Sequence, residues 1–203
     1  MKIVCIGRNY GRHALELGNE IPDEPVVFLK PATALTVNGK PLFLPDFTQD
    51  VHHEIELVLK VAKNGKAIEE RFAHRYYEEI GLGIDFTARD LQQELKAKGL
   101  PWEKAKAFDG SAAVGGFVDK AALADGGDIE FSLERNGEVV QRGNSADMLF
   151  DFDRIIAEVS RYFKLMRGDL IFTGTPAGVG PVAQNDHLVG RIGDRKLLEM
   201  RVK

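Results

Sequence analysis

The run His53-Glu54-Ile55-Glu56-Leu57-Val58-Leu59, followed downstream by Gly83-Ile84-Asp85-Phe86-Thr87-Ala88-Arg89-Asp90, places three acids where a hard cation could sit. Ile55, Leu57, Leu59 and Val61 alternate with Glu54, Glu56, Val58 and Lys60, the period of two that marks a strand with distinct faces. Glu54 and Glu56 therefore point the same way. In a strand rising about 3.3 Å per residue their Cα atoms lie roughly 6–7 Å apart, close enough for both carboxylates to reach one ion. A solvated strand edge is the ordinary alternative for such a pair. Asp85 shifts the balance, because it sits in the apolar, glycine-spaced run Gly81-Leu82-Gly83-Ile84-Asp85-Phe86, which reads as an interior strand. A buried carboxylate is costly without a cation or strong donors. Three carboxylates with no cysteine and no paired histidine favour Mg²⁺, Mn²⁺ or Ca²⁺ over zinc. Leu57 occupies the place where the H-E-x-x-H zinc pattern needs its second histidine.

Other residues could serve such a site. His13 and Glu16 lie three apart on an expected helix over Tyr10 to Leu17, giving a base and a carboxylate able to orient it, although such pairs are common on solvent faces. Arg89 and Gln92 share that spacing on the helix expected from Ala88 to Lys98, so both could face what Asp85 helps to bind; an exposed, ordinarily charged surface is the alternative. Lys106 could anchor an anionic substrate, as could Lys30, or either could be a solvated lysine. The run Phe172-Thr173-Gly174-Thr175-Pro176-Ala177-Gly178-Val179-Gly180-Pro181 lacks the ending of a phosphate-binding P-loop and the dinucleotide spacing. Its glycines would still let backbone amides approach a carboxylate. No G-x-S-x-G elbow is present, and Cys5, in an apolar run, reads as an inert core thiol.

The elements that must position these residues are mostly strands. Lys2–Gly7, Val26–Leu29, the acid-bearing run and Gly81–Asp85 read as strands, and Arg135-Asn136-Gly137-Glu138 as a type I′ turn joining Ile129–Leu133 to Val139–Arg142. Helical spacing is expected over Ile68–Ile80 and Asp151–Leu165, and strands at Leu170–Thr173 and Leu197–Val202. This order predicts a β-rich α+β domain, not a doubly wound fold. With 203 residues, 44% hydrophobic and 29% charged, the chain predicts a single domain over residues 1–203. A net charge of -4 with no basic cluster argues against nucleic acid. The short apolar N-terminal run and the lone cysteine lead to the expectation of a cytoplasmic protein with no membrane partner.

Taken together, these motifs resemble the fumarylacetoacetate hydrolase family. Gly7-Arg8-Asn9-Tyr10 with His13 and Glu16 is similar to the family's opening segment. His52-His53-Glu54-Ile55-Glu56-Leu57 resembles its paired metal glutamates, and Ile84-Asp85-Phe86-Thr87-Ala88-Arg89-Asp90 its metal aspartate motif. Lys98-Gly99-Leu100-Pro101-Trp102, Lys106 and Thr173–Pro181 continue the correspondence in order. The similarity is greatest to short acylpyruvase and oxaloacetate decarboxylase members. It implies a mixed β-sandwich roll, a homodimer, and Mg²⁺ or Mn²⁺ on Glu54, Glu56 and Asp85, with Ca²⁺ as a bound substitute. It further implies Arg89, Gln92, Lys106 and Thr175 around a small anionic 2-oxo acid, with His13, oriented by Glu16, activating a water. The activity so implied is hydrolytic carbon–carbon cleavage of acylpyruvate-type 3-oxo acids, with oxaloacetate decarboxylation beside it. The alternatives are a 2-oxo acid isomerase, tautomerase or hydratase of aromatic-compound catabolism, and a non-catalytic carboxylate-binding protein.

Overall fold

A computed structural model describes residues 1–11, 16, 21–37, 39–123 and 127–203. Seven strands form the main sheet: β2 (Val26–Lys30), β1 (Ile3–Gly7), β11 (Leu170–Phe172), β5 (Ile55–Val61), β6 (Tyr77–Asp85), β8 (Ala112–Asp119) and β3 (Leu35–Val37), in that spatial order. A second sheet runs β10 (Glu138–Asn144), β9 (Glu130–Arg135), β13 (His187–Ile192), β14 (Arg195–Arg201). A short third sheet joins β12 (Gly180–Pro181), β4 (Val51–His53) and β7 (Thr87–Ala88). Four α-helices lie among the described residues: α1 (Glu70–Ala73), α2 (Arg89–Ala97), α3 (Glu103–Lys106) and α4 (Phe152–Tyr162). The β-rich α+β expectation holds.

The acid-bearing strand is central, not a solvated edge. β5 lies between β11 and β6, so both of its edges are paired. Ile55, Leu57, Leu59 and Val61 enter the larger apolar core, and Val58 on the opposite face joins Cys5, Leu170 and Phe172 in a smaller one. Cys5 is fully buried; burial, reinforced by the charge of Asp85, holds its thiol well above the ordinary range, as an inert thiol requires. The glycine spacing of β6 also has a physical cause. A Cβ at Gly83 would stand 2.5 Å from Phe172 Cε1 and 2.8 Å from the Ala113 carbonyl oxygen, so only glycine lets the ring and the neighbouring strand close on this point.

The Asn136-Gly137 hairpin forms as expected, with φ of 56° and 88° at the two turn residues. The helix expected over Ile68–Ile80 does not. Only Glu70–Ala73 is helical, and the chain enters β6 at Tyr77. Ile80, Leu82 and Ile84 carry a period of two, and backbone pairing to β5 on one side and β8 on the other outweighs the weak helical spacing before them. Most of the helix expected over Tyr10–Leu17 lies outside the described residues. No described helix is long and apolar enough to cross a membrane.

Candidate active site

Strand register brings the acids together. Ile55 pairs with Ile84 across β5 and β6, and the Asp85 amide donates to the Glu54 carbonyl at 2.9 Å. Glu54 stands at the β4–β5 junction, and Glu56 two residues on shares its side of the sheet. One oxygen from each of Glu54, Glu56 and Asp85 lies within 4.8 Å of the others, and all three residues are buried. β11 pairs Phe172 with Val58, which carries the glycine-rich run past Glu56. There the Gly174 amide donates to Glu56 Oε2 at 2.7 Å. Gly174 has φ of 100°, and a Cβ on it would meet Asn9 Cβ at 2.7 Å, so this approach requires glycine. Asn9, fully buried, ties the loop down by donating to the Thr173 carbonyl at 2.8 Å and the Phe150 carbonyl at 2.9 Å.

Cationic side chains face the acids. Arg89, the first residue of α2, donates through Nη2 to Glu54 Oε1 at 2.5 Å and through Nη1 to Gln92 Oε1 at 2.6 Å. The i, i+3 spacing thus makes one buried unit, and the start of α2 is anchored where Thr48 donates to Asp90 Oδ1 at 2.5 Å. Lys106, at the end of α3, donates to Glu54 Oε2 at 2.7 Å, Asp85 Oδ2 at 2.8 Å and Thr87 Oγ1 at 2.7 Å, which uses all three ammonium hydrogens. Burial alone would lower its pKa; the charges of Asp85 and Glu54 outweigh that and raise it, so it stays protonated. Lys30 lies at the end of β2, with Nζ 2.6 Å from Asp85 Oδ1 and donating to the Ser111 carbonyl at 2.9 Å. The Lys30–Asp85 contact is an ion pair outside hydrogen-bond geometry, which leaves Asp85 Oδ1 buried and without a hydrogen bond.

That orphaned oxygen and the chemistry of the donor set fit a divalent cation. Burial first, then the charges of Asp85 and Glu54, push the Glu56 carboxyl well above the usual range, with the Gly174 amide opposing them. A pocket of crowded carboxylates, hard oxygen donors and no thiolate suits Mg²⁺, Mn²⁺ or Ca²⁺.

Glu54, Glu56, Asp85, Arg89, Gln92, Lys106 and Thr175 all line one cleft. Thr175 is buried and its Oγ1 accepts from Gln141 Nε2 at 3.0 Å. Glu16 is exposed, and its carboxylate oxygens accept from the Gly178 amide at 3.2 and 3.3 Å, which places it on the loop that carries Thr175. His13 lies outside the described residues. Arg8, Lys96, Phe28 and Trp102 also line the cleft. Phe28 and Trp102 meet edge to face at 6.1 Å, and the Phe28 ring lies 5.4 Å from Lys106 Nζ. The sequence left Lys30 ambiguous, and its one signal was a lysine ending an apolar strand. Gln141 carried no signal at all. A larger and more open groove, lined by Leu29, Phe47, Leu91 and Phe108 among others, is mainly apolar and holds no acid cluster.

The sequence profile described as fumarylacetoacetate (FAA) hydrolase C-terminal matches residues 2–202. The chain belongs to the fumarylacetoacetate hydrolase family. Within that family it is 43% identical over 201 residues to the mitochondrial oxaloacetate tautomerase FAHD1 of Bos taurus, covering 99% of this chain and 90% of the relative. It is 42% identical over 188 residues to the oxaloacetate tautomerase YcgM of Escherichia coli K12, covering 92% and 86%. The crystal structure of a family hydrolase, fumarylpyruvate hydrolase from Pseudomonas aeruginosa in complex with Mn²⁺ and pyruvate, superimposes with a TM-score of 0.93 at 36% identity. That match covers 100% of this chain and 89% of the other.

Proposed function

We propose that this protein is a divalent-cation-dependent enzyme of small 2-oxo acids, with keto–enol interconversion of oxaloacetate as its principal reaction. The observation that carries this reading is the charge balance of the cleft. Glu54, Glu56 and Asp85 are faced by Lys30, Arg89 and Lys106, and Arg8 and Lys96 line the same cleft, so cationic side chains already match the acids or exceed them. A divalent cation added to that set leaves at least two positive charges to be met. Oxaloacetate, a dianion, meets them, as does an acylpyruvate once it becomes its enolate.

Glu54, Glu56 and Asp85 would hold the cation, which supplies Lewis-acid polarisation of the substrate's keto oxygen and stabilisation of enolate charge. With Glu54 and Asp85 engaged by the cation, the Lys106 hydrogens they now accept would be free for the carboxylate end beside Arg89, and Gln92 keeps the guanidinium in its plane. The raised pKa of Lys106 keeps it a donor throughout. Thr175 adds a hydroxyl, and the Phe28–Trp102 wall limits water on the side facing Lys106. Ketonisation needs one proton to leave the enol oxygen at C2 and one to arrive at C3. His13, with Glu16 orienting it, is the residue pair assigned to that transfer.

Hydrolytic cleavage of an acylpyruvate is the second reading. It is favoured by Glu16 on the Gly178 amide, since a carboxylate on the loop that carries Thr175 could orient a base for water attack on a distal carbonyl. The names of the bovine and bacterial relatives support the first reading and that of the Pseudomonas hydrolase the second. Following loss of the enol form of oxaloacetate by ultraviolet absorbance, beside pyruvate release from acetylpyruvate, on one metal-loaded preparation tests them together. The proposal expects the first rate to exceed the second; the reverse order makes the protein a hydrolase. A homodimer, as in the family resemblance, is the proposed assembly, and light scattering at assay concentration tests it.

A further inference from the structure

Gln141 lies in β10 of the second sheet, remote in sequence from every residue of the cleft, yet it is only 2% exposed. A bulge turns it inward. Val139 pairs with Glu134 and Gln141 with Leu133, so Val140 is the extra residue that re-aims the side chain that follows it. The glycine-rich loop packs against this bulge: a Cβ at Gly178 would stand 2.8 Å from the Val140 carbonyl oxygen.

The amide of Gln141 meets four partners. Oε1 accepts from the Ile55 backbone amide at 3.1 Å and from His53 Nδ1 at 2.8 Å; Nε2 donates to the Pro176 carbonyl at 3.1 Å and to Thr175 Oγ1 at 3.0 Å. Two of these partners are backbone groups of fixed polarity. The Ile55 amide can only donate and the Pro176 carbonyl can only accept, so the amide has one permitted orientation. The consequence reaches Thr175. Its oxygen must accept from Nε2, and its single hydrogen is free to point elsewhere. Among the described residues that hydrogen has no protein acceptor, while Thr175 lines the cleft beside Glu54 and Glu56.

We infer that Gln141 is a positioning residue that fixes Thr175 as a hydrogen-bond donor to an anionic oxygen of the substrate. The backbone beside the paired glutamates thereby sets the polarity of a hydroxyl on the opposite loop. The inference rests on the proposed 2-oxo acid reading and adds to it a residue that never touches the substrate. Replacing Gln141 by Glu would reverse the effect: a carboxylate can only accept, so the Thr175 hydroxyl would turn to it and its hydrogen would be lost to the cleft.

The test is a double-mutant cycle read by calorimetry of oxalate, a dianion shaped like the pyruvate enolate, on the Mn²⁺-loaded protein, with Mn²⁺ affinity measured separately. Thr175→Val should weaken oxalate binding about tenfold or more, as expected for a lost hydrogen bond to a charged group, and Thr175→Ser should retain it. Gln141→Glu should weaken oxalate to a similar degree in the parent and cause little further loss in the Thr175→Val background, with Mn²⁺ affinity within about threefold throughout. Gln141→Asn, which shortens the amide reach without adding charge, passes through the same cycle if Gln141→Glu does not fold. Parent-like oxalate binding by the Gln141 variants, with Thr175→Val still impaired, overturns the inference alone. Equal losses in both Thr175 backgrounds also overturn it, since general damage would then explain them. Parent-like binding by Thr175→Val removes Thr175 from the proposed site and the inference with it.

Discussion

The Asp85 amide donates to the Glu54 carbonyl at 2.9 Å, so the main chain itself fixes these two acids relative to each other, beneath the Lys106 bridge between their carboxylates. Isosteric amides at the acids should therefore leave the backbone frame standing, and the charge effects of each acid become separable.

Glu56→Gln and Asp85→Asn should behave in opposite ways without metal. Burial and its acidic neighbours push Glu56 toward its neutral form, which glutamine imitates, so thermal stability should be unchanged or higher. Asp85→Asn strips the counter-charge from Lys30, leaves Lys106 with Glu54 alone, and should cost about 3–5 kcal/mol, the range for breaking a buried ion pair. Both should lose the rise in Tm that Mn²⁺ gives the parent, with Mn²⁺ affinity down about 100-fold or more, given that outer-shell partners alone are worth about 10–100-fold. Calorimetric melts with and without Mn²⁺ read both effects.

Lys106→Met should lower kcat/KM for every active substrate by about ten- to a hundredfold, the worth of one charge-assisted hydrogen bond at about 1.5–3 kcal/mol. Without Lys106, Glu54 and Asp85 face each other with less compensation, so the variant should also gain more Tm from Mn²⁺ than the parent. Steady-state kinetics and paired melts check the two halves. Parent-like kinetics would remove Lys106 from the substrate site.

How much of this was legible in the sequence depended on how local the cause was. The alternation through β5, the isolated Asp85 in an apolar run and the Asn136-Gly137 turn each declare themselves within a few residues. Lys30 does not, because its burial depends on Asp85 and Ser111, more than fifty residues away. Gln141 is subtler, since a bulge in one sheet aims it into a loop of another. β8 was missed because Ala112-Ala113-Val114-Gly115-Gly116 has little β propensity. The structure supplies the reason for those small residues: a Cβ on Gly115 would stand 2.3 Å from the Leu197 carbonyl oxygen, where β14 crosses β8.

The Lys2–Asp169 contact gives a pH dependence remote from the cleft. Burial would raise the Asp169 carboxyl, but hydrogen bonds from the Lys2 ammonium, the Lys2 amide and the Met166 amide outweigh it and hold it below the usual range. A folded-state pKa lowered in this way contributes stability that is fully present above the unfolded value near 3.9 and is lost as pH falls through the folded value. Asp169→Asn should thus be less stable than the parent at neutral pH, and the difference should shrink below about pH 4. Urea unfolding of both proteins across that range measures it.

The most direct test of the central claim is the ketonisation of enol-oxaloacetate by exhaustively chelated protein, before and after Mn²⁺ is restored, with Mn²⁺ alone as the background. The account predicts a rate at background in the metal-free protein, full recovery on adding Mn²⁺, and no recovery in Glu56→Gln. Full activity in the metal-free protein, or in metal-loaded Glu56→Gln, would contradict it.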